Sequence, residues 1–286
     1  MPQAKIGVIG GTGLDEIEGM TAIEEAAVDT PFGKPSDTFT IGRLGGTRVA
    51  FLRRHGRGHH LTPGELPTRA NIYAFKSLGV ERIIAVCSAG SFKSEIKPGD
   101  LLIPDQLIDR TRRRATSFFG DGIVAHIPFA DPFCAATSRV LYQQARKAGA
   151  SVHQGGTYVC MEGPAFSTRA ESRLYRSWGA DIIGMTALPE AQLAREAEIC
   201  YAVIACVTDY DSWHAAEVPV TVDMILDTMR RNIETAKKII KLSVAALPKE
   251  RDCECASALK TAIVTAKEVI PPAQKEKLAL IIGKYL

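Results

Sequence analysis

Asp209 and Asp211 stand at the end of residues 199–208, the most apolar run of the chain, in Thr208-Asp209-Tyr210-Asp211. A carboxyl group that emerges from such surroundings is ion-paired, a metal ligand or an acid/base group. Three other segments carry small or anion-seeking residues directly after an apolar run. Gly10-Gly11-Thr12-Gly13 offers a sharp bend, exposed amides and one hydroxyl. Arg53-Arg54-His55-Gly56-Arg57-Gly58-His59-His60 offers forked guanidinium donors that suit phosphate oxygens, and a histidine that can donate to an anion or sense pH. Cys87-Ser88-Ala89-Gly90-Ser91 lets a ligand approach the backbone closely. Glu162-Gly163-Pro164 with Phe166 places an aromatic ring beside a bend, either to stack on a planar base or to fill a core.

Each motif has a plain alternative. The first glycine turn does not satisfy Gly-x-Gly-x-x-Gly, its acidic partner is weak, and no Gly-Lys-Ser/Thr follows, so neither a dinucleotide fingerprint nor a P-loop is met. A simple tight turn remains open. His55, His59 and His60 lack a carboxylate at metal spacing, and the arginine-rich loop reads equally as solvated surface. Arg110-Thr111-Arg112-Arg113-Arg114 has no wider basic stripe and is expected to be solvated or subunit-facing, not a nucleic-acid surface. Of the seven cysteines, Cys253-Glu254-Cys255 is set apart by its charged context. It lacks a second ligand pair at metal spacing, which leaves two surface thiols or a disulfide-forming pair and no metal. A net charge of +3 excludes a global field for nucleic acid or membrane, and no apolar run reaches spanning length. The N-terminus has no signal-peptide pattern, so a cytoplasmic location is expected.

These segments are positioned by alternating short apolar runs and helical patterns. Strands are expected at 5–9, 48–52, 82–87, 157–161, 181–184 and 199–208. Helices are expected at 68–78, 132–148, 167–178, 189–197 and 220–246, then near 256–265 and after Pro271-Pro272, several of them closed by glycine. Alternation of this kind predicts a single-domain, three-layer α/β/α sandwich with a mixed central sheet over residues 1–286, carrying a C-terminal helical tail from about 249. The ligand crevice belongs at the carboxyl ends of the strands.

Taken together, the motifs resemble the purine nucleoside phosphorylase superfamily, and within it the methylthioadenosine phosphorylase branch. The resemblance runs from about Lys5 to Thr265. It rests on Gly-Gly-Thr-Gly at 10–13, Asp29-Thr30-Pro31-Phe32-Gly33-Lys34-Pro35-Ser36, Arg54-His55-Gly56-Arg57, Ala70-Asn71-Ile72, Pro98-Gly99-Asp100, the run Asp105-Gln106-Leu107-Ile108-Asp109-Arg110-Thr111, His126-Ile127-Pro128, Glu162-Gly163-Pro164, Gly184-Met185-Thr186, Pro189-Glu190 and Thr208-Asp209-Tyr210-Asp211, in family order.

The resemblance implies phosphorolysis of an adenine nucleoside, with phosphate as co-substrate and no cofactor or metal. Phosphate would be held by Thr12, Arg54, His55, Thr186 and the amides near Ser88 and Ala89. Ribose would lie against Met185, and the base would meet Phe166, Thr208 and the catalytic carboxyls Asp209 and Asp211. A methylthio group would enter an apolar pocket of Val222, Ile225 and Leu226, with His126 arriving from a neighbouring subunit of a trimer or dimer of trimers. Related 6-oxopurine phosphorylases carry asparagine where Asp209 stands, so Asp209 implies a 6-aminopurine; the alternatives are a 6-oxopurine nucleoside or methylthioinosine phosphorylase and, from another class, a dinucleotide-dependent oxidoreductase built on the first glycine turn. Three positions depart from the pattern: Cys87 where threonine is common, Gly184 where asparagine is frequent, and Pro67-Thr68 where an Asn-Tyr pair is common. The Cys-x-Cys resembles a thermophilic branch of the family.

Overall fold

Runs of buried residues set the centre of the sheet. The computed structural model describes residues 3–11, 14, 17–214 and 222–286, apart from the side chains of residues 222–227 and 229. The chain opens with β1 (Ile6–Gly10), β2 (Thr21–Ala26), β3 (Phe39–Leu44), β4 (Thr47–Arg53), α1 (Thr68–Ser77) and β5 (Arg82–Ser91). Then come β6 (Leu101–Ile103), β7 (Gln106–Arg110), α2 (Ala135–Lys147), β8 (Val152–Gln154), β9 (Thr157–Met161) and α3 (Arg169–Ser177). The last third holds β10 (Ile182–Gly184), α4 (Ala187–Glu196), β11 (Cys200–Asp209), α5 (Val222–Ala246), α6 (Pro272–Lys277) and α7 (Ala279–Ile282).

Alternation along each strand builds two cores, one on each face. Ile6 and Val8 of β1, Ile84 and Val86 of β5, and Ala202, Ile204 and Cys206 of β11 pack under α2 and α5, against Leu141, Ala145, Ala236, Ile239 and Ile240. Ile9, Ile83, Ala85, Tyr201, Val203 and Ala205 face the other way, under Ile72 and Phe75 of α1 and Leu193 and Ala194 of α4. This is the expected three-layer α/β/α sandwich.

The sheet is mixed. β1 runs parallel to β4 on one side and to β5 on the other, and β11 runs parallel to β5. Beyond Ala85, β5 outruns its pairing with β1, and Gly90 and Ser91 pair antiparallel with β10. The carboxyl ends of β4, β1, β5 and β11 therefore open on one edge of the sheet where partners change, the place where α/β sheets bind ligands.

The C-terminal segment departs from expectation. Residues 256–265 form no amphipathic helix; a 3-10 turn at Glu254–Ser257 gives way to irregular chain. Long-range ties replace the helix: Ile263 bridges Ala125, and Leu259 N–H donates to the carboxylate of Glu198. Leu259, Ala262, Ile270, Leu278 and Ile282 belong to the main core, so the tail completes the domain. Among the described residues, no helix is long and apolar enough to cross a membrane.

Candidate active site

Four strand ends enclose a cavity of about 350 Å³. Gly11 follows β1, Arg54 and His55 follow β4, Cys87 to Gly90 end β5, and Thr208, Asp209 and Asp211 end β11. Met185 and Thr186 enter between β10 and α4, and Met161 at the end of β9, with Pro164 and Phe166 of the loop that follows, closes the cavity. In the order β4-β1-β5-β11 the outer strands are three spacings apart, roughly 14 Å. The anion-seeking residues thus lie at one end and the paired carboxyls at the other.

At the anion end, Arg54 is 2% exposed. Its forked edge faces Glu190 of α4: Nε donates to Oε1 at 2.6 Å and Nη2 to Oε2 at 3.0 Å. Nη1 donates to the Val86 carbonyl at 2.8 Å, and Tyr201 adds its hydroxyl to Glu190. Arg54 is therefore a charge held in the cavity floor by a buried counter-charge, not an open fork. The Nδ1–H of His55 donates to the Leu61 carbonyl at 2.8 Å, which leaves Nε2 with a lone pair in the neutral ring. Burial, and after it the charges of Arg54 and His59, push the His55 pKa down to about 4. The ring is neutral at pH 7 and stacks on His59 at 4.2 Å. A neutral Nε2 suits a P–OH group, which donates to it. Thr186 lines the cavity just before α4, where the backbone turns non-helical at Leu188 and the Leu188 N–H donates to Cys160 Sγ at 3.3 Å.

At the carboxyl end, a bulge decides the geometry. Val207 lies opposite Ala89 and Asp209 opposite Gly90, so Thr208 is the extra residue. Such bulges re-aim side chains beside active sites. Thr208 Oγ1 donates to Asp209 Oδ2 at 2.8 Å, and the Asp211 N–H donates to Asp209 Oδ1 at 2.8 Å. A Cβ on Gly90 would stand 2.9 Å from Asp209 Oδ1, so a larger residue there would displace the carboxylate. Asp211 is 9% exposed and its Oδ2 has no hydrogen-bond partner. Burial first, then the charge of Asp209, raises the Asp211 pKa above the ordinary carboxylate range. A buried unpaired carboxyl oxygen is costly unless a ligand or a proton satisfies it.

Ser88, Ala89, Phe166, Met185 and Thr208 also line the cavity. His126 does not; it is exposed, beyond the core of its own chain. Thr12 lies outside the described residues, as do the side chains of Val222, Ile225 and Leu226. Pro67-Thr68 lines a separate cavity of about 220 Å³ that also borders Arg113 and Arg114. The other two departures are linked. A Cβ on Gly184 would meet the Tyr158 hydroxyl at 2.0 Å, and that hydroxyl contacts Cys87 Sγ at 3.8 Å. Tyr158 fills the volume that a larger residue at 184 would need.

Arg114 corrects the reading of the basic run as solvated or subunit-facing. Its side chain is 3% exposed and donates to the carbonyls of Met185 and Leu188, both at 2.7 Å, and of Glu162 at 2.6 Å. It ties the loop after β9 to the entry of α4. Spacing could not show this, because the acceptors are remote backbone carbonyls. Glu190 stood in a quoted motif without a role; a glutamate at 0% exposure in a helix's first turn is the signal in hindsight.

The phosphorylase superfamily profile matches residues 5–245. A relative from Geobacter sulfurreducens, an S-methyl-5'-thioadenosine phosphorylase, is 59% identical over 98% of this chain and 99% of its own length. The chain belongs to the S-methyl-5'-thioadenosine phosphorylase family. Another family member, from Koribacter versatilis, is 57% identical over 99% of this chain and 97% of its own. The crystal structure of a methylthioadenosine phosphorylase from an Antarctic soil metagenomic library superposes with a TM-score of 0.95 at 46% identity, covering 98% of this chain and 99% of that one. A family member from Schistosoma mansoni, solved with adenine, gives 0.84 at 35% identity, with 98% of each chain covered.

Proposed function

We infer that this chain cleaves 5'-methylthioadenosine with inorganic phosphate, yielding adenine and 5-methylthioribose 1-phosphate. The carrying observation is a single cavity with a buried arginine and a neutral histidine at one end and the Asp209–Asp211 pair at the other. The glycosidic bond from C1' to the purine breaks, its electron pair stays with the base, and a phosphate oxygen forms the new bond to C1'. The base leaves easily only if N7 is protonated, and the carboxyl pair supplies the proton it shares. Phosphate is placed by the amides near Ser88 and Ala89, by Thr186, His55 and Thr12, and by the charge of Arg54. Ribose lies against Met185, and Phe166 covers the base. The methylthio group is assigned to Val222, Ile225 and Leu226.

Base choice follows from Asp209. A carboxyl group accepts from a 6-amino group with one oxygen and shares a proton with N7 through the other. Against a 6-oxo base, acceptor meets acceptor, a mismatch worth roughly 10⁴ in specificity. The test is Asp209→Asn assayed on methylthioadenosine and inosine side by side. A large loss on the first and a relative gain on the second is expected. A ratio of the two kcat/KM values within a few-fold of the parent's would show that Asp209 does not read the base.

The site is completed across a homo-oligomer, trimeric or a dimer of trimers, by His126 of the partner subunit. Exposed apolar residues beside this loop support the assignment. Val124 and Val264 are 48% and 65% exposed, and the Val264 N–H donates to the Val124 carbonyl. Adjacent exposed valines form a patch suited to association.

A further inference from the structure

Four thiols converge at the other end of β11. Cys134 directly precedes α2, and its N–H donates to the Tyr201 carbonyl, which brings it to the start of β11. Cys200 is the first residue of β11. Cys253 directly precedes the 3-10 turn that follows α5, and Cys255 lies within that turn. The four Sγ atoms all lie within 4.8 Å of one another. Cys253 Sγ is 3.8 Å from Cys134 Sγ and 3.3 Å from Cys200 Sγ. Three of the four residues are buried, Cys253 is half-buried, and all are free thiols.

The spacing brackets that of a coordination shell. Four sulfurs at a Zn–S distance of about 2.3 Å in a tetrahedron stand about 3.8 Å apart, whereas bonded sulfurs stand about 2.0 Å apart. The ligands arrive from three remote segments, as in closed structural sites where no position is left for water. The Thr137 hydroxyl donates to Cys134 Sγ at 3.4 Å, the kind of outer hydrogen bond that orients a thiolate ligand. The expectation that Cys253 and Cys255 lack a second ligand pair fails because that pair, Cys134 and Cys200, is invisible to local spacing.

We propose that Cys134, Cys200, Cys253 and Cys255 form a structural, all-thiolate zinc site that pins the C-terminal segment to the sheet. As zinc binds, the four S–H bonds break, the protons pass to solvent and four Zn–S bonds form; no oxidant is needed. Cys200 and Asp209 begin and end the same ten-residue strand, so the site is roughly 30 Å from the catalytic carboxyls and takes no part in turnover.

The test begins with the full-length parent, purified under reducing conditions without chelator, and elemental analysis of its metal content. About one tightly held zinc per chain is expected. Cobalt loaded in its place should give the thiolate-to-metal charge-transfer bands of a tetrahedral all-sulfur site. Cys253→Ser and Cys255→Ser should lose the metal and lower the Tm, with kcat at moderate temperature unchanged. Stripping zinc from the parent with a strong chelator should lower Tm in the same way, which keeps the test independent of whether the variants fold. Metal-free parent after zinc addition would overturn the proposal, whether thiol titration then finds four free thiols or disulfides. Zinc retained at the parent's level in both serine variants would overturn it too.

Discussion

Glu190→Gln removes the counter-charge of Arg54 at nearly constant volume. Arg54 and Glu190 are 2% and 0% exposed, and the carboxylate takes both Nε and Nη2 of the guanidinium as well as the Tyr201 hydroxyl. Glutamine offers one oxygen and turns an NH₂ toward these donors. The guanidinium cannot shed its proton, so it is left as an uncompensated buried charge, a loss of about 3–5 kcal/mol. At about 2 °C of Tm per kcal/mol for a chain of this length, the expected fall is about 6–10 °C. Phosphate should narrow the gap. In the parent the pair is neutral as a whole, whereas in the variant an unpaired cation meets the dianion. Ligand stabilisation grows as binding tightens. Thermal melts of both proteins across a phosphate titration provide the assay. A variant within about 2 °C of the parent in phosphate-free buffer would refute the ion-pair reasoning, since a buried pair broken on one side costs more than that. A gap independent of phosphate would detach Arg54 from the phosphate subsite.

Gly184→Ala places a methyl group 2.0 Å from the Tyr158 hydroxyl; overpacking of this kind costs about 1–3 kcal/mol. Adding Tyr158→Phe should recover part of the lost Tm, and an unchanged Tm in the single variant would show that the volume is free. For His55, the folded pKa of about 4 lies below the unfolded value of about 6.5, so between these values the unfolded chain binds more protons. Its contribution therefore erodes stability as pH falls from 6.5 toward 4 and vanishes above 6.5. Glu196, whose burial lifts its carboxyl to about 7, has the opposite slope, and comparing His55→Asn with the parent cancels it. The variant should lose less Tm than the parent from pH 7 to 4.5 in phosphate-free buffer; parallel losses would contradict the shift. Dilution to monomer should nearly abolish activity, because His126 would then be missing from every site; sedimentation and activity measured at one concentration check this, and an active monomer would refute it.

What local pattern showed depended on burial. β1, β4, β5, β9 and β11 were legible because their residues are apolar runs or close to it. β2 and β7 lie largely exposed and carry no alternation, and β6 and β8 are three residues long, so none announced itself; β3 was not legible although largely buried, because threonine, glycine and arginine interrupt its apolar residues. At the site, motif order brought Arg54, His55, Ser88, Thr186 and Asp209 toward one cavity, because each follows an apolar run. Glu190, Tyr158, Arg114 and the four-cysteine cluster were opaque for a common reason: each acts on residues distant in sequence. Strand pairing across the sheet puts Tyr158 beside Cys87, and the packing of the start of α2 and of the turn after α5 puts Cys134 beside Cys253.

Incubating the purified protein with 5'-methylthioadenosine, with and without inorganic phosphate, and identifying both products decides what attacks C1'. Adenine and 5-methylthioribose 1-phosphate in equal amounts, formed only when phosphate is present, is the expected result. Adenine released equally fast into phosphate-free buffer, with free methylthioribose beside it, would make water the nucleophile and contradict phosphorolysis.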